Sequence, residues 1–272
     1  MMIKSLPWHT KLVLALLAFM PLYFLVAALG TKFGIWDWKF GLGAMLIVGG
    51  PVLLGIVALA ALVSLILAAR ATPRRNGLLA TAIIGLLVPG AAFVLFMAAG
   101  QSAADNPIHD ISTDTANPPA FSAATLARRA AAGANPLADY QTPLGKLAVF
   151  KDSVPPELAV KSHAQIITDR KDRPAPLPLG GASKAEGVAA VAAAMAQMGL
   201  KDIRSDAEAG TVEGVAETFW FGFKDDVVAR VGEQQIDFRS VSRVGQSDLG
   251  ANTARIAELR QRTEALLGAA SR

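Results

Sequence analysis

Three long apolar runs without a charged residue constrain this chain more than any other feature. They cover residues 12–29, 42–69 and 78–99. Each provides about the 20 residues that an α-helix needs to cross roughly 30 Å of hydrocarbon. We therefore predict a membrane anchor of three transmembrane helices in residues 1–100. The first run is long for the apolar core of a cleavable signal peptide, so we expect it to be retained.

The basic residues near these runs predict the orientation of the anchor. The loop between the second and third runs carries three arginines, Arg70, Arg74 and Arg75. The first loop holds Trp36 and Trp38, which suit the headgroup region. Because basic loops stay in the cytoplasm, the second loop and the N-terminus, with Lys4 and Lys11, are predicted to be cytoplasmic. Residues after the third run would then lie outside the cytoplasm, which in a Gram-negative bacterium means an anchor in the inner membrane and a domain in the periplasm.

Composition excludes several classes of function. The apolar runs contain no ionisable residue, which argues against a pore or a proton pump. The net charge is +4, but the first 100 residues hold seven Lys and Arg against one Asp, so the excess base flanks the apolar runs. We therefore expect the lipid bilayer, and no nucleic acid, as a partner. The absence of cysteine excludes disulfides, thiolate metal sites and cysteine nucleophiles.

Residues 101–272 have the pattern of one soluble α+β domain. A stretch at 101–119, rich in Asn, Asp, Ser, Thr and Pro, predicts a linker or an ordered lead-in loop. Ser183 and Glu186 form a capping-box pattern at the start of a helix that Gly199 would end. The remaining predicted elements are helices at 123–132 and 248–267 and strands at 147–151, 201–206, 211–219, 226–231 and 234–241. This order predicts an antiparallel sheet with helices on one side.

The densest group of unusual residues lies in residues 219–255. On a strand, Arg239 and Arg243 point to the same face. The candidate anion or ligand site consists of Arg239, Arg243, Ser247 and Asp248, and the candidate acid, base or cation site of Asp225 and Asp226. The alternative is structural: the aspartates pair with the arginines, and Ser247 or Asp248 caps the final helix. We favour this alternative, because a pair of acids without a nearby histidine is weak evidence for catalysis.

Other catalytic and metal signals are absent from the sequence. It contains no glycine-rich phosphate loop, no GxSxG and no HExxH. His109 and His163 are 54 residues apart, outside any close ligand spacing. A cation held by His109, Asp110 and Asp114 would require the loop to fold back, and turn and cap chemistry explains the same residues. We predict no metal and no cofactor.

Several blocks carry a resemblance to a known family. They are Asn106-Pro107-Ile108-His109-Asp110-Ile111-Ser112-Thr113-Asp114, Phe223-Lys224-Asp225-Asp226, Arg239-Ser240-Val241-Ser242-Arg243-Val244-Gly245 and Ser247-Asp248-Leu249-Gly250-Ala251-Asn252. Residues 101–268 resemble the family catalogued as domain of unknown function 1499, and the first block resembles its membrane-anchored bacterial branch. The resemblance implies a shared domain but no established reaction, so it assigns no catalytic residue.

Two functions remain open at this point. The first is a non-catalytic binding or scaffolding module of the cell envelope, whose domain recognises an envelope ligand or a neighbouring membrane protein. The second is a carboxylate- or cation-dependent envelope hydrolase that acts on an anionic substrate near Arg239 and Arg243. We favour the first, because no catalytic constellation is evident.

Overall fold

The computed structural model describes residues 6–151 and 153–270, so Lys4 lies outside the described residues. Internal contacts divide the chain into two units. One unit contains the three apolar helices and the segment Phe219–Gly222, and the other contains the α+β domain.

The first unit consists of three apolar helical stretches. Helix α1 spans Trp8–Lys32, a π-helical segment Lys39–Gly49 continues into α2 at Gly50–Arg70, and α3 spans Asn76–Asp105. The most apolar 18 residues of the three stretches have mean hydropathies of 2.6, 2.9 and 2.4. All three stretches are long and apolar enough to cross a membrane. The expectation of three such helices is confirmed.

Close packing inside this unit depends on small residues. A Cβ atom placed on Gly85 of α3 would lie 2.6 Å from Cγ1 of Val13 and 2.9 Å from Cβ of Ala61. Such distances are too short for real Cβ contacts, so α3 approaches α1 and α2 at a position where only glycine fits without rearrangement.

The second unit is an antiparallel sheet with helices. Its helices are α4 (Ala123–Ala131), α5 (Pro156–Ala159), α6 (His163–Asp169), α7 (Lys184–Gln197) and α8 (Ala251–Ala270), with a 3₁₀ turn at Leu144–Lys146. Its strands are β1 (Asp110–Ser112), β2 (Leu177–Pro178), β3 (Lys201–Asp206), β4 (Thr211–Glu217), β5 (Lys224–Val231) and β6 (Gln235–Ser242). The strand order is β1-β6-β5-β4-β3, and β2 also pairs with β6. The predicted fold class is confirmed.

The two faces of the sheet have different coverings. Helices α7 and α8 pack on one face, where the main hydrophobic core includes Met195, Leu259 and Phe238. On the other face, Phe121 packs with Val228 and Val241, and the segment that contains α4 contributes side chains there. Alternation along β5 and β6 explains the division, because successive side chains point to opposite faces.

Three local predictions require correction. Residues 147–151, predicted as a strand, form a bend and turns. The stretch predicted as a linker or loop at 101–119 contains the last turn of α3 and the short strand β1. The final helix begins at Ala251 and not at residue 248. Strand β1 has a partner that local composition does not report, because it pairs with β6, with Ile111 opposite Ser240.

Candidate functional site

Asp226 of β5 is the centre of one buried ion-pair network. Nε and Nη2 of Arg243 donate to its two carboxylate oxygens at 2.9 and 2.7 Å, and Nη1 of Arg129 donates to Oδ2 at 2.5 Å. Asp226 is fully buried, and the side chains of Arg129 and Arg243 are only 5% and 14% exposed. The bidentate pair with Arg243 raises the pKa of that guanidinium.

Arg239 belongs to a second network, with Asp110 of β1. Its Nε and Nη2 donate to Oδ1 and Oδ2 of Asp110 at 2.9 and 2.7 Å, and the hydroxyl of Tyr140 donates to Oδ1 at 2.6 Å. Burial by itself would raise the pKa of Asp110, but the charge and hydrogen bonds of Arg239 and the bond from Tyr140 bring it below its ordinary value. Burial, followed by the charge of Asp110, raises the pKa of Tyr140 well above its ordinary value. This network therefore holds an ionised carboxylate and a neutral phenol.

The remaining predicted site residues also have partners in the protein. Oδ2 of Asp225 accepts from Nη2 of Arg255 on α8 at 2.7 Å. Asp248 accepts from the backbone N–H groups of Gly250 and Asn252 at 2.8 and 3.0 Å, at the start of α8. Ser247 Oγ accepts from the N–H of Leu249 at 3.1 Å. Burial raises the pKa of Asp248.

These contacts separate the residues that the sequence placed in common sites. Arg239 and Arg243 each bind a different carboxylate, and Asp225 and Asp226 each bind different arginines. Ser247 and Asp248 bind the backbone that leads into α8. The arrangement favours the structural interpretation of this cluster, and a ligand role for these residues remains a prediction.

A different group of residues surrounds a cavity of about 140 Å³. The rings of His109 and His163 lie 6.2 Å apart between centroids and nearly perpendicular, at 85°. Phe150 packs against both rings, with its ring centroid 5.7 Å from that of His109 and 5.6 Å from that of His163. The cavity is lined by His109, Pro136, Leu137, Ala138, Asp139, Leu147, Ala148, Val149, Phe150 and His163. Pro136 and Ala148 are exposed at its rim, whereas the two histidines and Phe150 are buried at its floor.

The ring nitrogens of the two imidazoles have no hydrogen-bond partner in good geometry among the described residues, although backbone carbonyls lie near those of His109. Both ring nitrogens of His109 and both of His163 are buried. Burial lowers the pKa of His109, although Asp110 and the nearby carbonyls of Pro136 and Gln246 partly oppose this effect. Burial lowers the pKa of His163 to about 4. Both rings are therefore neutral at pH 7, and each offers one N–H donor and one acceptor nitrogen.

The cavity does not have the ligand set of a typical protein metal site. Within residues 6–151 and 153–270, no group of three or more His, Asp or Glu side chains is placed to hold a metal ion. A structural zinc site uses four protein ligands and a catalytic one usually three. The described structure thus offers two imidazoles and no nearby carboxylate that is free of a partner, since Asp110 is bound by Arg239 and Tyr140.

Two larger depressions lie elsewhere in the domain. One of about 520 Å³ is bordered by residues 177–182 and the end of α8, and one of about 310 Å³ lies between the end of α7 and the start of α8. None of the buried, unpaired side-chain atoms found in the described residues lines either of them. Volume alone therefore does not single out a site, whereas the histidine cavity combines an enclosed floor with unsatisfied polar atoms.

The proximity of the two histidines is not visible in the sequence. They are separated by 54 residues and lie on different elements: His109 precedes β1, and His163 is the first residue of α6. No local pattern reports such a contact. The only hint in the sequence is that these are the two histidines of the entire domain.

Comparison with known proteins supports the family resemblance. A family model described as "Protein of unknown function (DUF1499)" matches residues 110–262, more than half of the chain. No curated protein and no solved structure matches the chain significantly. The matched range contains β1 to β6, both ion-pair networks and His163, and it begins one residue after His109.

Proposed function

The chain belongs to the DUF1499 family of proteins of unknown function, and from this premise we propose that it is a membrane-anchored, non-catalytic binding module of the bacterial cell envelope. Its three apolar helices would hold the domain at the outer face of the inner membrane. The domain would bind an envelope ligand or a neighbouring membrane protein.

One observation carries the choice of binding over catalysis. Asp225 and Asp226, the candidate acid, base or cation site, are 5% and 0% exposed, and both are bound by arginines. A general acid or base must reach its substrate, and a buried carboxylate whose oxygens are held by a guanidinium is not accessible to one. The hydrolase alternative has no comparable observation in its favour.

The distribution of basic residues supports the proposed orientation. The short connection between α2 and α3 contains Thr72, Pro73, Arg74 and Arg75, and Arg70 ends α2. The connection that follows α3 has no Lys or Arg before Arg128. Because positively charged short loops are retained in the cytoplasm, the α2–α3 connection is assigned to the cytoplasm and the domain to the opposite side.

The absence of cysteine makes this orientation directly testable. We would introduce single cysteines by Thr72→Cys and Ser205→Cys, both at exposed positions, and treat intact cells with a membrane-impermeant maleimide. The proposal requires Ser205→Cys to be labelled in intact cells and Thr72→Cys only after lysis. The reverse pattern would overturn the orientation.

Binding requires a separate experiment. Photo-crosslinkers placed across the exposed surface of the domain in living cells, followed by purification, should recover a defined partner or ligand. If none is recovered, and the purified protein retains and binds no ligand, the binding function is wrong. A separate test addresses the hydrolase. If Asp225→Asn and Asp226→Asn variants that fold fully complement the phenotype of a deletion strain, the hydrolase is excluded.

A further inference from the structure

The histidine cavity has the size of a site for one small ring. Its volume is about 140 Å³. A cavity of about 150 Å³ lined by aliphatic and aromatic side chains is known to hold one benzene molecule. Leu147, Val149 and Phe150 supply walls of the same kind here. An occupant of this site would therefore be about as large as one six-membered ring.

Because polar atoms lie in the lining of the cavity, we expect the ring to carry a hydrogen-bonding group. In the lining, both nitrogens of His163 are buried and unpaired among the described residues. Those of His109 are buried and have no partner in good geometry there, although the carbonyls of Pro136 and Gln246 lie near them. Two neutral imidazoles provide two donors and two acceptors. Buried polar groups gain free energy when they find a partner, and a hydroxyl or carbonyl oxygen between the two rings would supply one.

The charges around the cavity disfavour an anionic occupant, and its ligand set disfavours a metal ion. Asp110, the acid nearest in sequence to His109, is neutralised by the bidentate bond from Arg239. Asp139, at the exposed rim, accepts from the N–H of Gln141 and the hydroxyl of Thr142. An anionic ligand would lose its hydration without gaining a free positive counter-charge from the lining. A metal ion would find two imidazoles and no third protein ligand.

Both histidines stand on firmly held backbone. The carbonyl oxygen of His109 accepts from the N–H of Ser242 and from Nδ2 of Asn252, both at 2.9 Å. His163 is the first residue of α6 and lies within the complete capping box that Ser162 and Gln165 form. When the polar groups of a site are already fixed in position, the protein loses little conformational entropy on binding a ligand.

We propose that this cavity binds one uncharged, ring-sized molecule with a hydroxyl or carbonyl oxygen, such as a phenol, between His109 and His163. The proposal rests on the binding function proposed above and names its ligand class. It does not depend on which side of the membrane the domain occupies.

The probe for this site is 4-fluorophenol, followed by ¹⁹F NMR with the full chain in lipid nanodiscs. We expect saturable binding, and an affinity for 4-fluorobenzoate that is weaker by about tenfold or more, because the carboxylate must be desolvated without a counter-charge. 4-Fluorotoluene, which lacks the oxygen, should bind about fivefold more weakly than the phenol. His109→Ala and His163→Ala should each lower the affinity for the phenol by a similar factor.

Ala148→Phe provides a variant that does not depend on removing a buried histidine. Its side chain would fill the rim and should abolish binding, whereas Ala207→Phe, at an exposed turn position outside the cavity lining, should bind as the native protein does. If a histidine variant does not fold, the Ala148 and Ala207 variants decide the question.

Three results would overturn the proposal. One is binding of phenol and toluene with equal strength in all variants, which indicates partition into lipid. A second is the absence of saturable phenol binding together with histidine-dependent binding of Zn²⁺ or Cu²⁺, which indicates a metal site. The third is no binding of any probe, in which case the cavity holds water. None of these results affects the maleimide test, so failure of the ligand class and failure of the membrane placement are distinguishable.

Discussion

Removal of the Asp226 charge is expected to destabilise the domain by several kcal/mol. The Asp226→Asn substitution keeps the shape of the side chain, but it leaves the guanidiniums of Arg129 and Arg243 without their common counter-charge. Breaking a buried ion pair by removing one partner typically costs about 3–5 kcal/mol, because the other charge stays buried and unpaired. With side-chain exposures of 5% and 14% for the arginines, we expect this range to apply.

The assay is pulse proteolysis of the full chain in detergent across a urea series, because urea acts on the domain more readily than on apolar helices in a micelle. A urea dependence of about 2 kcal/mol per M converts the expected loss into a midpoint lower by about 2 M. The matched control is Glu258→Gln, which breaks the i,i+4 pair with Arg262 on α8, where the side chains are 50% and 41% exposed. Such surface pairs contribute about 0.5 kcal/mol or less, so this midpoint should move by at most about 0.3 M.

A second substitution separates charge from shape. Arg243→Gln in the Asp226→Asn background removes one of the two uncompensated charges, so the double variant should be more stable than the sum of the single effects predicts. A midpoint for Asp226→Asn within about 0.5 M of the native value, or additive effects in the double variant, would refute the structural role of this network.

Two further predictions concern pH and packing. Because burial lowers the pKa of His163 to about 4, the unfolded chain binds a proton between that value and about pH 6.5 that the folded chain does not. The contribution of neutral His163 to the free energy of unfolding should therefore be complete above pH 6.5 and fall by up to about 3 kcal/mol as the pH drops towards 4. If urea titrations show the same dependence of stability on pH for the native protein and His163→Phe, this prediction is wrong. In α7, a Cβ on Gly187 would lie 2.7 Å from Cγ1 of Val231 and 2.9 Å from Cδ1 of Leu179. Gly187→Ala should therefore lower stability by about 1–3 kcal/mol despite the better helix propensity of alanine, and a urea midpoint at or above the native value would show that the packing yields without cost.

Periodicity in the sequence predicted much of the sheet and its helices. Alternation predicted that Arg239 and Val241 share a face of β6, because side chains in a strand have a period of two; Arg243 lies one residue beyond the end of that strand. The capping box of Ser183 and Glu186 marked the start of α7 correctly, and both of its hydrogen-bond sets are present. Signals of this kind depend on residues within a few positions of each other, so a single sequence contains them.

Local pattern failed where an element depends on a distant partner. Strand β1 has only three residues, and it exists because Asp110–Ser112 pairs with Val241, Ser240 and Arg239 of β6. Residues 147–151 have an apolar composition that suits a strand, yet they form turns and place Leu147 and Val149 on the cavity. Strand propensity is mainly a preference for a partly buried pleated surface, and whether such a surface is available is a tertiary property.

The sequence by itself determined the three apolar helices, the α+β class and the family, because hydropathy, periodicity and motif blocks are properties of short segments. Only the tertiary structure decided which carboxylate each arginine binds, and that His109 and His163 share a cavity. These contacts join residues that are 17, 54 and 129 positions apart. Ion pairs and ring contacts form over a few ångströms, so they are set by how the strands register and the loops close, which local sequence patterns do not encode.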